Sequence, residues 1–257
     1  MVTSDLPYRI QTSAGHRKYL CSGIYMPSVT TVLSATESEK SKAGLRNWQK
    51  NNPGALEAAS TRGSAIHLGC ENYLRGLNPD VPEDYLDFWN GMSTYLDWFD
   101  TIHWSERPLR PDWNHLRSED REVAFVWSTE HKYAGCPDLI GEIGGVRVIA
   151  DFKTSNAPYC ASFPDRGDRI GFGGYRKYTK CAQQMAAYRY ALNERTGFLC
   201  EAALIIVSTP ETTQGIFIDG DQLALHESRF LKRCQQFHEI DNETTDCSTQ
   251  KLQEQAK

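Results

Sequence analysis

The sequence contains no Cys-x-x-Cys pair. Zinc ribbons and knuckles need close cysteine pairs, so that class is excluded. The eight cysteines (Cys21, Cys70, Cys136, Cys160, Cys181, Cys200, Cys234 and Cys247) are too few for a disulfide scaffold. Several lie in apolar periodic segments, where a thiol behaves as a small hydrophobe. They read as reduced structural thiols of an intracellular compartment, because disulfides follow redox compartment. Long apolar runs are also missing. A run such as 202–207 is only strand-length, so no membrane span is expected. The N-terminal segment has no signal-peptide core, and it carries Asp5, an acid that transit peptides avoid. Secretion is therefore not expected. Positive charge is short as well: 28 Lys and Arg against 33 Asp and Glu leave a net charge of −5. Taken alone, that balance argues against a nucleic-acid binder. What remains is a chain of 257 residues, 40% hydrophobic, with no internal repeat and enough apolar content for a sizeable core. That is the size of one large domain, or of one domain with a helical insertion.

Local patterns give an order of elements. Short β-like runs at 8–10 and 18–20 flank Ser13-Ala14-Gly15 and predict a small hairpin within residues 1–27. Ser28 is placed to cap a helical turn beginning at Val29, and a helix containing Leu45 and Trp48 follows. Residues 55–75 read as helix, stopped by Gly76. Apolar residues at Tyr85, Phe88, Trp89, Met92, Tyr95, Leu96, Phe99 and Ile102 predict a helix over 83–104. The texture then changes. Strands are expected at 123–127, 135–143 and 146–153, the last two joined by a two-residue turn at Gly144-Gly145. A helix over 177–195, a buried strand over 202–208, an edge strand over 215–219 and a helix over 221–238 complete the order. This predicts an α/β fold, a mixed central β-sheet flanked by helices. The expected domain plan is one unit over 1–240, with a helical part at 28–118 and the core at 119–240. The polar stretch 241–257 reads as a disordered tail.

The hairpin permits a register calculation. If Gly144-Gly145 is a two-residue loop, Ile143 pairs with Val146, and Asp138 then stands opposite Asp151 on the same face. Their Cβ atoms would lie about 5 Å apart. Lys153, two residues on, shares that face. Like charges so placed are unfavourable unless something neutralises them, and a divalent cation held by both carboxylates would do so. A structural reading is also open, an internal Asp–Lys ion pair at a sheet end. The trio fits phosphodiester hydrolysis, in which a cation polarises phosphate and activates water while an ammonium stabilises developing charge.

The residues around this pair carry a resemblance. Pro137-Asp138 with Asp151-Phe152-Lys153 resembles the signature of the PD-(D/E)XK nucleases, whose core is the restriction-endonuclease-like sheet. Gly135 to Gly141 with Val148 to Ser155 looks like the RecB-type branch. So do Arg62-Gly63-Ser64-Ala65-Ile66-His67 with Glu71, and Gln184-Met185-Ala186-Ala187-Tyr188. Pro27 to Leu33 and Trp48 are similar to the phage and mitochondrial genome-maintenance exonucleases. The resemblance spans roughly residues 25–240. It implies that His67, Asp138, Asp151 and the Phe152 carbonyl bind Mg2+ or Mn2+, and that Lys153 is the catalytic lysine. It further implies that Gln184 and Tyr188, one helical turn apart, orient Lys153 or the phosphate. Glu71 faces the same way as His67 and has no assigned role. No iron–sulfur cluster is expected, because Cys200, Cys234 and Cys247 are too widely spaced for the cluster-bearing relatives.

DNA is the implied substrate, single-stranded or with free ends. The stretch 154–180, read as a long irregular loop, carries Arg166, Arg169, Arg176, Lys177 and Lys180 against Asp165 and Asp168, a local +3. Tyr159, Phe163, Phe172, Tyr175 and Tyr178 interleave with these charges. Basic groups track phosphates and aromatic faces stack on unpaired bases. Arg62, Thr154, Arg169, Tyr175, Arg176 and Lys177 are the expected nucleic-acid contacts. The expected function is a metal-dependent DNA exonuclease of replication, repair or recombination, from a phage or its bacterial host. Two alternatives stand beside it: an exonuclease that resects duplex ends, and a DNA-binding module that keeps the fold without catalysis. A helicase or recombinase partner would leave no trace in this sequence.

Overall fold

The computed structural model describes residues 8–11, 17–21, 23–108 and 125–255. Strands β1 (Tyr8–Gln11), β2 (Arg17–Cys21) and β3 (Ile24–Pro27) form an antiparallel meander, one strand more than the expected hairpin. Helix α1 (Val29–Ala35) follows, and its first turn is capped as expected: the Ser28 hydroxyl accepts a hydrogen bond from the Thr31 N–H at 3.0 Å. Helices α2 (Glu39–Asn51) and α3 (Ala55–Leu74) come next, and Gly76, at φ 71°, turns the chain away from α3.

The single helix expected over 83–104 does not form. A 3-10 turn at Glu83–Tyr85 leads to two short helices, α4 (Leu86–Trp89) and α5 (Met92–Leu96). Strand β4 (Thr101–Ser105) and the two-residue β5 (Arg107–Pro108) then follow. The stretch 28–118 is therefore not wholly helical. Asn90-Gly91 interrupts the stripe, and Thr101, Ile102 and Trp104 are β-formers that pair with the core sheet. The expected strand over 135–143 is also two strands. One, β7 (Tyr133–Gly135), pairs with β6 (Val126–Ser128); the other, β8 (Leu139–Ile143), belongs to the central sheet. Pro137, which cannot donate to a ladder, lies at the break. Val123 and Ala124 of the expected preceding strand lie outside the described residues.

Strand β9 (Val146–Thr154) pairs antiparallel with β8 in the expected register, Ile143 with Val146 through Leu139 with Ala150. Gly144 and Gly145, at φ 56° and 78°, supply the turn. Helix α6 (Arg169–Thr196) starts eight residues earlier than expected, so the C-terminal part of the stretch read as an irregular loop, 169–180, is helix. Asp168 caps it by accepting from the Gly171 N–H at 2.8 Å. Strands β10 (Ala202–Ser208) and β11 (Thr213–Ile218) follow, with α7 (Gly220–Gln255) last. Helix α7 runs on through the stretch read as a disordered tail. Glu, Gln and Lys are good helix formers, so polarity alone did not end it.

The central sheet has the order β11-β10-β9-β8-β4-β5, mixed, with β9 and β10 parallel and joined through α6. Its two faces bury different clusters. Ile140, Ile149, Ile205 and Val207 face α1, α6 and α7, including Val32, Met185 and Phe230. Leu139, Ala150, Phe152, Leu204 and Ile206 face Ile66 and Cys70 of α3 with Phe88, Met92 and Leu96. Strand β10 is buried along its whole length, which explains its unbroken apolar run. No helix is long and apolar enough to cross a membrane among the described residues. Cys21, Cys70, Cys136, Cys160, Cys181, Cys200 and Cys234 are free thiols.

Candidate metal centre

The alternation along β9 sets the site. Phe152 points to the α3 face, so Asp151 and Lys153 point to the α6 face. Asp151 is fully buried. Its Oδ1 accepts from Gln184 Nε2 at 3.1 Å, and its Oδ2 accepts from the Cys181 thiol at 3.2 Å and contacts the Lys153 ammonium. Gln184 Nε2 also lies 3.1 Å from the Tyr188 hydroxyl, and these two residues share one face of α6. The ion pair foreseen as the structural reading of Asp151 and Lys153 is therefore present.

Asp138 sits at the entrance to β8. Its Oδ2 accepts from the Phe152 N–H at 2.9 Å, so the carboxylate continues the β8–β9 ladder by one rung. Behind it, the buried Trp104 indole donates to the Pro137 carbonyl at 2.9 Å and fixes the strand entry. Helix α3 delivers His67. The ring packs edge-on to Phe152, with Nε2 2.8 Å from the Phe152 carbonyl oxygen and Nδ1 3.6 Å from Asp138 Oδ2. A histidine and a carbonyl that the resemblance gives to one ion are thus in direct contact.

Glu106 was not among the expected residues. It follows β4, and its N–H donates to the Asp138 carbonyl at 2.9 Å, which sets it beside Asp138. Its Oε1 lies 3.4 Å from His67 Nδ1, and its carbonyl accepts from the Cys136 thiol at 3.2 Å. Its φ is 57°, a conformation that side chains rarely adopt outside sites the surroundings dictate. Reading 83–104 as one helix hid it. The alternation of Thr101, His103 and Ser105 with Ile102 and Trp104 was the available signal for a strand ending next to the hairpin.

Candidate ligand atoms of His67, Glu106 and Asp138 lie within 4.8 Å of one another. One imidazole and two carboxylates, with the Phe152 carbonyl beside them, suit a divalent cation of the Mg2+ or Mn2+ type. Asp151 stands outside that triad, held by its own partners. The electrostatics agree with a site built for positive charge. Burial, with help from Asp151 and Glu106, pushes the Asp138 carboxyl up to about 7 against the opposing effect of His67 and Lys153. Burial alone would lower His67, but Asp138 and Glu106 outweigh it and hold the imidazole at about 9. Burial would likewise lower Lys153, and the Asp151 carboxylate instead carries it well above the ordinary lysine range.

His67, Glu106, Asp138 and Lys153 line an open cavity of about 660 Å3, together with Ser28, Ser64, Glu71, Gln184 and Tyr188. Glu71 is tied to Arg75 at 3.1 Å. Of the expected nucleic-acid contacts, Thr154 ends β9 and Arg62 stacks over Phe88 at 4.4 Å. Lys177 donates to the Ser155 hydroxyl at 2.9 Å. Arg169 opens α6, Tyr175 is half-buried against the core, and Arg176 lies 3.7 Å from Glu37.

A mixed sheet bearing an Asp, an Asp-x-Lys strand and a facing helix is the frame of a nuclease class, and the sequence comparison agrees. The model of the PD-(D/E)XK nuclease superfamily matches residues 40–251, and the chain belongs to that superfamily. Membership points to nuclease activity on DNA. No curated protein matches the chain.

Proposed function

We propose that this protein is a metal-dependent DNA exonuclease of the RecB-type branch, acting on single strands or single-stranded tails in replication, repair or recombination. The observation that carries the reading is the convergence of His67, Glu106, Asp138 and Lys153 on one cavity, with the buried Asp151 in contact with Lys153. His67, Glu106, Asp138 and the Phe152 carbonyl would hold Mg2+ or Mn2+. Asp151 would complete the shell on release from Lys153. When bound, the cation supplies charge neutralisation at phosphate and a more acidic water. The Lys153 ammonium would stabilise the negative charge that builds as water adds to phosphorus and the P–O bond to the leaving sugar breaks. Gln184 and Tyr188 hold Asp151 in place through the hydrogen bonds above. A single-strand preference is supported by a cluster of aromatic rings at the start of α6. Phe163 is 69% exposed and makes edge contacts with Phe172 and Tyr175 at 5.1 and 5.3 Å, a surface on which an unpaired base can stack. Trp48 and Leu45 of α2 are exposed among Lys42 and Arg46.

The test is cleavage of end-labelled single-stranded, duplex and circular DNA with Mg2+ or Mn2+, beside Asp151→Ala. Loss of linear single strands in wild type, with circles intact and the variant inactive, is expected. Cleavage of circles, or activity that survives the substitution, refutes an exonuclease with this centre. Preference for duplex ends favours the resecting reading, and binding without cleavage favours the module.

A further inference from the structure

Most arginines near the sheet have carboxylate partners: Arg75 has Glu71, Arg147 has Glu201, Arg176 has Glu37 and Arg189 has Glu227. Arg62 and Lys177 have none among the described residues. Yet they flank the same strand end. A side chain added at Gly63, next to Arg62, would come 3.9 Å from Thr154 Oγ1, and Lys177 Nζ is 2.9 Å from Ser155 Oγ. Thr154 and Ser155 directly follow Lys153. Arg62 Nε is buried without a hydrogen-bond acceptor, its guanidinium lying on the Phe88 ring. Lys177 is 5.8 Å from the Tyr159 ring centroid. The two charges act on each other, because burial and the Arg62 charge both lower Lys177 from its ordinary range. Two like charges brought together without an acid call for an anion, and the fixed guanidinium fork suits phosphate oxygens.

We infer that Arg62 and Lys177, with the Thr154 and Ser155 hydroxyls, form a phosphate subsite at the rim of the catalytic cavity. It holds a phosphate of the DNA strand other than the one being cleaved. This rests on the proposed nuclease reading. The phosphate could be an internal diester or a terminal monoester, and the latter carries more charge for the same two cations.

The experiment has a binding arm and a turnover arm. Binding of a short fluorescent single strand is followed by anisotropy without divalent metal, for wild type, Arg62→Gln, Lys177→Gln and the double variant, with melting curves to verify folding. The double variant should bind about tenfold or more weaker, and its salt slope should be shallower by about 1.4, at ~0.7 per lost contact. Arg62→Lys should recover part of the loss. In turnover with Mn2+, the substitutions should raise KM by more than they lower kcat. Strands ending in 5′-phosphate, 3′-phosphate or hydroxyls separate the two sources. A KM advantage for one phosphorylated end, lost in the double variant, assigns a monoester, whereas equal KM for all ends with the same loss assigns a diester. Unchanged affinity and unchanged salt slope in a folded double variant overturn the subsite. Absence of cleavage by wild type would refute the nuclease reading alone, because the binding arm needs no catalysis.

Discussion

Asp138 and Asp151 stand at the same end of the β8–β9 hairpin but have different neighbours. Asp151 is saturated by Lys153, Gln184 and Cys181, whereas Asp138 shares its space with His67 and Glu106. Glu106 therefore matters as a donor in its own right. Glu106→Gln should weaken Mn2+ binding by about tenfold or more, a loss measurable by titration calorimetry; unchanged affinity would remove Glu106 from the centre. The protonation states give a second expectation. With Asp138 held up to about 7 and His67 to about 9, the metal-free site carries protons that a cation has to displace. Between pH 7 and 9 one proton leaves, from His67, so Mn2+ affinity should rise about tenfold per pH unit. Below pH 7 Asp138 adds a second proton, and the dependence steepens. Calorimetry in buffers of different ionisation enthalpy counts those protons, and a flat profile across this range would contradict the shifts.

Elements bring these residues together, and their legibility followed the strength of local signals. The turn Gly144-Gly145 fixed the β8–β9 register because only a two-residue loop fits it, and His67, Gln184 and Tyr188 lay on helices with clear stops. Glu106 was lost because aromatic spacing over 83–104 satisfies a helical period equally well, while pairing with β8 decides for a strand. The start of α6 was missed because its glycines, Gly171, Gly173 and Gly174, lower helix propensity. Asp168 caps the turn, and Gly174 is packed against the 158–160 backbone, where a side chain would be crowded at 3.0 Å. Gly135 has a similar constraint: a side chain there would overlap the Tyr188 ring. Gly135→Ala should cost about 1–3 kcal/mol in urea unfolding, the usual range for overpacking. In a Tyr188→Ala background the added methyl has room, so the cost should shrink sharply. Additive losses would show that the ring is not what the glycine accommodates.

At the scale of the whole molecule the net charge of −5 takes on a narrower meaning. Part of the negative charge is the cluster of Glu106, Asp138 and Asp151, which a bound cation would offset, and some of the positive charge is paired internally. Lys153 is spent on Asp151, and Arg176 and Arg233 both approach Glu37. If Arg62, Lys177 and Arg169 are the cations that meet a strand, it would be gripped at points rather than coated. Each phosphate contact on a single strand contributes ~0.7 to the slope of log affinity against log salt. Three contacts predict a slope of about −2, and a weak, salt-tolerant complex compared with that of a basic binding protein. Anisotropy titrations of a single-stranded oligonucleotide, from low to physiological salt, measure it directly. A slope of about −5 or steeper would mean that a broader basic surface engages DNA, with further cations such as Arg166 and Lys180 taking part. A slope near zero would mean that aromatic stacking on Phe163 and its neighbours carries the binding alone.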